Sequence, residues 1–473
     1  MIEMRLADVA AVTGGRLHRA GGDERVTAVE FDTREIAPGG LFVALPGERV
    51  DGHDYAAAAV AAGAAAVLAG RDVDAPAVVV PPVARQGGTY LGATDRDGAG
   101  AAVLAALARL AGHSVAALPD TTVVGVTGSS GKTSTKDLLA AVLAPLGPTV
   151  APPGSFNNEL GLPWTALRAD AATRHLVLEF SARGPGHIAQ LARAVPPRIG
   201  VVLNVGSAHI GEFGSVAAIA AAKGELVEAL PADGTAVLNG DDPAVAAMAA
   251  RTAAKVVTVG RGASADVRAE DVRLDVGRPR FTLVAPSGRA AVELRLVGEH
   301  HVGNALAAAA VALELGGTPD GVAAALSAAA PMSQWRMEVT DRDDGVTVVN
   351  DAYNANVESM RAALAALVAI GEGRRRTWAV LGRMAELGAE SAAAHAQVAA
   401  AARKFGVDVL VAVETGEYPG ARRAASVEEA LALLDTGVAP GDVVLVKASR
   451  SAGLERVAAG LLAGRTGAGL VAQ

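Results

Sequence analysis

The stretch Thr121-Thr-Val-Val-Gly-Val-Thr-Gly-Ser-Ser-Gly-Lys132-Thr133-Ser-Thr decides how the rest of the chain is read. A short apolar run, a Gly/Ser turn and a Lys-Thr opening an Ala/Leu-rich segment predict strand, turn and helix in that order. That is the layout of a phosphate-binding loop. Backbone N–H groups of Gly128, Ser129, Ser130 and Gly131 can point at phosphate oxygens. The positive end of the following helix, with Ser134 in its first turn, adds to the attraction. Lys132 is placed to reach the terminal phosphates, and the Thr133 hydroxyl to bind Mg²⁺. The strict pattern asks for glycine at position 126, where this chain has Val; the tighter run Thr-Gly-Ser-Ser-Gly-Lys-Thr is intact. A glycine turn with a surface lysine is the plainer reading, and the flanking strand and helix weigh against it.

Composition bounds what surrounds this loop. A chain of 473 residues is long enough for about three domains. The 51% hydrophobic fraction is inflated by alanine, and the Ala-rich run from Ala56 to Gly70 is too short and too weakly apolar to span a bilayer. The first residues, Met-Ile-Glu-Met-Arg-Leu-Ala-Asp, lack the layout of a secretory signal. A cytoplasmic protein without a membrane span is expected, and a monomer. The absence of cysteine removes disulfides, thiolate catalysis and Cys-ligated zinc. A net charge of −8 argues against non-specific nucleic-acid binding. It leaves room for an anionic substrate held in a local basic pocket.

Three α/β segments separate by pattern. Residues 1–115 carry short apolar runs such as Gly40-Leu-Phe-Val-Ala-Leu45, then an Ala-rich helix from Tyr55 to Ala64; Ala84 to Gly98 shows no period and reads as irregular. Residues 116–328 alternate strands (122–126, 176–180, 200–204, 236–239, 256–259) with helices such as 216–230, which predicts a mostly parallel sheet. The polar run Asp266–Leu296 reads as an antiparallel insert. Residues 329–473 repeat the alternation, with strands over 345–350, 377–381, 407–413 and 442–447. No Gly-x-Gly-x-x-Gly turn is present, which argues against nicotinamide binding.

Several polar residues fall just after predicted strands, where open parallel sheets collect ligands. Glu179 ends an apolar strand; a carboxylate there is costly unless paired, and metal ligation suits it better than a solvent-facing end. Asn204-Val-Gly-Ser-Ala-His209 makes His209 a candidate second metal ligand, although a hydrogen-bonded loop histidine alone is commoner. Lys223 lies on an otherwise apolar helix, either as a surface lysine or as one modified by CO₂ into a metal-binding carbamate. Asn157 and Asn158 fit helix capping as well as substrate contact. Asn239, before Gly-Asp241-Asp242, fits a turn. His300 and His301, adjacent on a helix, should point apart. Asn350-Asp351-Ala-Tyr353-Asn354-Ala-Asn356 is more polar than a plain turn needs. Lys447-Ala-Ser449-Arg450 and Gly382-Arg383-Met384-Ala-Glu386-Leu-Gly388 could line a shared cleft.

Taken together these segments resemble the Mur ligase family, ATP-dependent amide-bond ligases of peptidoglycan synthesis. Thr127 to Thr133, Glu179, Asn204 to His209, Ala222-Lys223-x-Glu225, Gly298-x-His300-x-x-x-Asn304 and Arg336 match the family's ATP- and metal-handling motifs in order. The resemblance implies an N-terminal α/β domain for a UDP-linked substrate, a central P-loop-type ATPase domain and a Rossmann-like C-terminal domain. Asp351 to Asn356, Met384 to Gly388 and Lys447 to Arg450 are similar to the branch that adds D-alanyl-D-alanine to a UDP-N-acetylmuramoyl-tripeptide. Asp32-Thr33-Arg34 and Asp51-Gly-His53 are similar to that branch's UDP-sugar domain. The implied cofactors are ATP and Mg²⁺. Lys132 would neutralise phosphates with Mg²⁺ held by Thr133 and Glu179. His209 and a carbamylated Lys223 would hold a second metal. Asn239 and Asn304 would face the adenosine, and Arg336 would complete the site on domain closure. Asn157, Asn158, Asp351, Tyr353, Asn354, Asn356, Lys447, Ser449 and Arg450 would meet the substrates. Phe180, His187, Asn350, Val357 and Ala448 depart from the usual motif neighbours.

Three other readings compete. A relative that adds a single amino acid shares the central motifs, but the Asp351–Asn356 stretch and the missing Asp-Asn-Pro-Arg signature argue against it. A phosphate-loop kinase or GTPase does not explain the later motifs, and no Asn-Lys-x-Asp base-reading motif is present. A non-catalytic binding relative should have lost Lys132, Glu179 or Lys223, and all three remain.

Overall fold

A computed structural model describes residues 1–83, 91–92, 94–207 and 210–464. Thr122–Thr127 forms a strand whose valines are buried, as a β-branched run covered on both faces requires. It lies inside a nine-stranded sheet. From edge to edge the strands are Gly288–Glu293, Arg278–Ala285, Val267–Asp275, Lys255–Gly260, Thr235–Asn239, Ile199–Val202, Thr122–Thr127, His175–Glu179 and Thr149–Val150. Both neighbours of the phosphate-loop strand run parallel to it, with Glu179 opposite Val126 and Val202 opposite Thr127. The chain moves to one side for the next two strands and to the other for those after. The phosphate loop therefore emerges at a topological switch point, where such sheets open a crevice.

The strand expectations hold to within two residues. Leu203 and Asn204 stop pairing with the next strand because they turn to the phosphate loop: the Ser129 N–H donates to the Asn204 carbonyl at 3.1 Å. The polar run after Asp266 is antiparallel within itself but extends the edge of the same sheet.

The N-terminal segment builds a five-stranded sheet in the order Arg16–His18, Ala77–Val79, Ala64–Ala69, Gly40–Val43 and Ala28–Glu30. Here one expectation is corrected. The helix covers only Ala56–Ala61, and Ala64 opens a strand. Gly63, at φ +118°, turns the chain between them. Alanine shows neither period, so the sequence hid the change. The expected irregular stretch lies partly outside the described residues, which omit 84–90 and 93. Ala99–Ala116 has the length and apolarity of a membrane span, and 61% of it is buried inside the fold. It packs on Leu6–Thr13 and Gly161–Ala166. Trp164 ties this body to the central one. Its ring lies 5.5 Å from Phe31 and 4.7 Å from Phe156, and its indole N–H donates to the Val29 carbonyl at 3.0 Å.

The C-terminal segment forms a six-stranded sheet in the order Glu338–Asp341, Thr347–Asp351, Val443–Lys447, Thr377–Leu381, Val409–Val413 and Arg422–Ala424. All but the first pair are parallel. Asp351 and Lys447 are register partners at the carboxyl ends of adjacent strands.

Candidate active site

The phosphate loop is held open by its own backbone and by the next strand. Gly131 precedes the helix Lys132–Leu143 at φ +82°. A Cβ there would also come 2.7 Å from Asn304 Oδ1. Asn204 braces the loop: its Oδ1 accepts from the Ser130 N–H at 2.9 Å and its Nδ2 donates to the Ser130 carbonyl at 3.1 Å. Ser129 Oγ accepts from the Gly206 N–H at 2.8 Å. Lys132 Nζ donates to the Gly128 carbonyl at 2.7 Å. Burial lowers its pKa, the anions Glu179 and Glu386 oppose that, and Arg336 adds to it.

Glu179 is fully buried beside Thr133. Its Oε2 lies 3.4 Å from Thr133 Oγ1 and 3.3 Å from both Ser155 Oγ and Asn157 Nδ2. Its Oε1 is buried with no hydrogen-bond partner among the described residues. A carboxylate oxygen aimed at nothing, with two hydroxyls at hand, fits the oxygen donor set of a hard divalent cation. Asn158 holds the turn that leads into the helix Gly161–Ala166, its Oδ1 accepting from the Leu160 N–H at 3.2 Å and the Gly161 N–H at 2.9 Å.

The C-terminal body closes over this loop. Arg336 Nη2 donates to Thr133 Oγ1 at 3.2 Å, and its guanidinium sits 4.0 Å from the Tyr353 ring centre. Behind it, Lys447 Nζ donates to Asp351 Oδ2 at 2.5 Å and to the Asn354 carbonyl at 2.8 Å. Burial lowers the Lys447 pKa and the Asp351 charge resists it. Asn356 caps the helix Val357–Gly371 and reaches the Ser129 carbonyl at 3.4 Å. Glu358 accepts from the Ser207 N–H at 2.9 Å. Arg450 stacks on Trp335.

A cavity of about 520 Å³ lies between the two bodies. Loop residues 129–134 line it, with Asn157, Asn158, Asn304 and Arg336 from the central body and linker. Asp351, Tyr353, Asn354, Asn356, Lys447 and Arg450 line it from the C-terminal body. His300 and His301 also line it, their rings stacked 4.2 Å apart rather than pointing away. His300 stands just before the helix with a helical backbone, φ −59° and ψ −21°, and caps nothing with its side chain. Burial, with the His300 charge second, lowers the His301 pKa well below the ordinary value. Desolvation likewise pushes the His300 pKa down to about 4, with the Asp351 charge opposing the shift and the Lys447 charge adding to it.

Other predicted site residues stand apart from the cavity wall. Asn239 spends its amide on the Leu203 carbonyl at 2.8 Å and on the Asp241 N–H at 3.0 Å. Ser449 Oγ accepts from the Ala385 N–H at 2.8 Å. Thr33 and Arg34 lie in the N-terminal body, where Arg34 pairs with Asp32 at 2.6 Å. Lys223 is buried with no acidic partner among the described residues. Desolvation, then the Lys132 charge, lowers its pKa well below the ordinary value. His209 lies outside the described residues. Ser155, Arg183 and Glu358 reach the site without having been singled out as site residues. Asn204 was read as part of the Asn204–His209 motif, matched to the family's ATP- and metal-handling motifs, and not as the brace of the phosphate loop.

This arrangement sets a phosphate loop on one α/β body across a cavity from cationic side chains of the other, a layout suited to a nucleoside triphosphate. Known proteins resemble the chain in sequence and fold. Residues 126–312 match the family described as Mur ligase middle domain, 335–450 the Mur ligase glutamate ligase domain, and 25–115 the Mur ligase catalytic domain. A curated relative from Mycobacterium tuberculosis, UDP-N-acetylmuramoyl-tripeptide--D-alanyl-D-alanine ligase, is 54% identical over 98% of this chain and 99% of its own. The relative of the same name from Escherichia coli is 35% identical over 97% and 98%. Among solved structures, MurF from Acinetobacter baumannii superposes with a TM-score of 0.84 at 28% identity, covering 98% of this chain and 99% of that one. MurF ligase from Thermotoga maritima in complex with ADP gives 0.76 at 30% identity, covering 91% and 96%. The chain belongs to the Mur ligase family, and it is an ATP-dependent ligase.

Proposed function

We infer that the protein joins D-alanyl-D-alanine to a UDP-N-acetylmuramoyl-tripeptide, converting ATP to ADP and phosphate, in peptidoglycan precursor synthesis. One observation carries the reading: Arg336 meets Thr133 beside Lys132 and Glu179, in a chain that matches ligases of that name over its whole length. A carboxylate is a poor electrophile, so it must first gain a leaving group. The tripeptide's terminal carboxylate oxygen attacks the γ-phosphorus, the bond to the β,γ-bridging oxygen breaks, and ADP departs. The amine of D-alanyl-D-alanine then attacks the acyl carbonyl, loses a proton, and expels phosphate as the C–O bond breaks.

The residues supply alignment and charge. Lys132 and Arg336 face the transferring phosphoryl group, where preorganised cations act most strongly. Glu179 and Thr133 would hold Mg²⁺, which would offset phosphate charge there. Asp351 keeps buried Lys447 charged, and with Asn354 and Arg450 it frames the acceptor side. The N-terminal body, about residues 1–115, would hold the UDP moiety through Thr33 and Arg34. Lys223 is a candidate for carbamylation: a buried amine without an acid partner is neutral often enough to attack CO₂, and the anion produced would join His209 at a second cation. Incorporation of ¹³CO₂ seen by NMR tests this apart from activity. An unmodified amine in the metal-loaded enzyme refutes it. A cytoplasmic location follows from the need for ATP.

The functional test is phosphate release with ATP, the UDP-linked tripeptide, and each acceptor in turn. D-Alanyl-D-alanine should support turnover; free D-alanine, L-lysine and diaminopimelate should not. A site built to hydrogen-bond both ends of a dipeptide leaves polar groups unpaired with a single amino acid. Comparable turnover with any free amino acid overturns the acceptor assignment.

A further inference from the structure

Lys136 and Asp137 form a buried ion pair on the phosphate-loop helix, one turn beyond Lys132, and neither lines the nucleotide cavity. Both reach the segment that crosses to the C-terminal body. Lys136 Nζ donates to the Pro152 carbonyl at 2.8 Å and to Ser333 Oγ at 3.4 Å. Asp137 Oδ2 accepts from the Ser333 N–H at 3.1 Å. A buried ion pair adds little net stability over apolar residues of the same volume, so stability alone does not account for it.

We propose that Lys136 and Asp137 are positioning residues that pin the linker at Ser333 and so hold Arg336 against Thr133. The backbone around Arg336 supplies the argument. Trp335 and Met337 flank it at φ +57° and +49°. Left-handed non-glycine residues are strained and persist only where their surroundings over-determine them. The downstream side is fixed by the C-terminal body. The Met337 N–H donates to Asp351 Oδ1 at 3.2 Å, and the Tyr353 N–H donates to the Trp335 carbonyl at 3.3 Å. The upstream side is fixed by the Lys136–Asp137 clamp on Ser333. Arg336 Nε is buried without a partner among the described residues. The guanidinium is thus aimed by Thr133, by the Tyr353 face and by its own strained backbone. Releasing Ser333 lets that backbone relax, and the cation leaves the place where phosphoryl charge develops.

The inference rests on reading Thr133 as the phosphoryl-transfer centre, and a double-mutant cycle tests it. Asp137→Asn, Arg336→Lys and the double variant are compared for kcat, for KM of each substrate, and by thermal melting. Asp137→Asn should lower kcat by on the order of tenfold to a hundredfold, with KM for the tripeptide and dipeptide held. In the Arg336→Lys background it should cost no more than about twofold further. A second variant guards against misfolding: Lys136→Met with Asp137→Leu replaces the pair by apolar volume, so it should melt at or above the wild-type temperature and still lose kcat. Multiplicative costs in the cycle, or full kcat in the apolar double variant, overturn the proposal. A wild-type enzyme that releases no phosphate with tripeptide and D-alanyl-D-alanine overturns instead the functional reading beneath it.

Discussion

Glu179→Gln should stabilise the ligand-free protein while destroying its activity. Glu179 is 0% exposed, and its Oε2 contacts are 3.3–3.4 Å long, at the far edge of hydrogen bonding. Oε1 has no partner among the described residues. Lys132 is the cation that feels the carboxylate. An ionised group held so loosely costs several kcal/mol of desolvation. Glutamine removes that charge, leaves one amide donor unpaired at about 1–3 kcal/mol, and deprives Lys132 of an anion. The balance is a gain on the order of 1 kcal/mol, or about 2–4 °C for a domain of this size.

The ligand response should move the other way. Wild-type protein at a hundredfold excess over Kd gains about 2.7 kcal/mol from Mg·ATP, and the variant should lose most of it. Turnover should fall by on the order of 10²-fold or more. Calorimetric melts with and without Mg·ATP, beside the phosphate-release assay, separate the two effects. A variant that melts below wild type without nucleotide yet keeps the Mg·ATP shift would refute the reasoning, because Glu179 would then be an ordinary structural acceptor.

Gly131→Ala should weaken ATP binding by about tenfold, since a Cβ in the left-handed region costs about 1–2 kcal/mol and this one meets Asn304 Oδ1; titration calorimetry reads it directly. Trp164→Ala should destabilise by about 3–5 kcal/mol, because the indole fills the junction with Phe31 and Phe156; a loss under about 1 kcal/mol in denaturant unfolding removes that junction from the account. Acid should destabilise the protein through His301. The unfolded chain takes up a proton near the ordinary 6.5 while the buried ring stays neutral, so stability is full above that pH and declines as pH falls below it. Unfolding from pH 7.5 to 5 should show a shallower slope in His301→Phe, and an unchanged slope refutes the assignment.

Most of the strands were legible because they are short apolar runs rich in Val, Ile and Leu, and the phosphate loop because its strand, turn and helix are contiguous. Alanine was the blind spot. Ala64–Ala69 is a buried strand written in nearly the same letters as the helix before it, and only Gly63 marks the join. His300 and His301 were also misjudged: their ring centres lie 4.2 Å apart, although spacing along a helix sends adjacent side chains in different directions.

The site was legible as a set of parts but not as an assembly. Thr133 and Arg336 are 203 positions apart and meet only because the linker crosses back over the loop. Asp351 and Lys447 are 96 positions apart. They become neighbours because the last strand, Val443–Lys447, inserts between Thr347–Asp351 and Thr377–Leu381. Each strand end is readable from sequence, yet the insertion is a choice of sheet order that no local pattern encodes. Once that order is set, parallel register forces the two charges together. The pair then needs no further device to place a cation beside the cleft: the fold supplies the position, and Asp351 keeps a buried lysine charged where burial alone would favour the neutral amine. The same logic explains why the central loop could be read first. Its partner Glu179 ends one flanking strand and Asn204 lies two residues beyond the end of the other, so adjacency in one parallel sheet brings both side chains to a single loop.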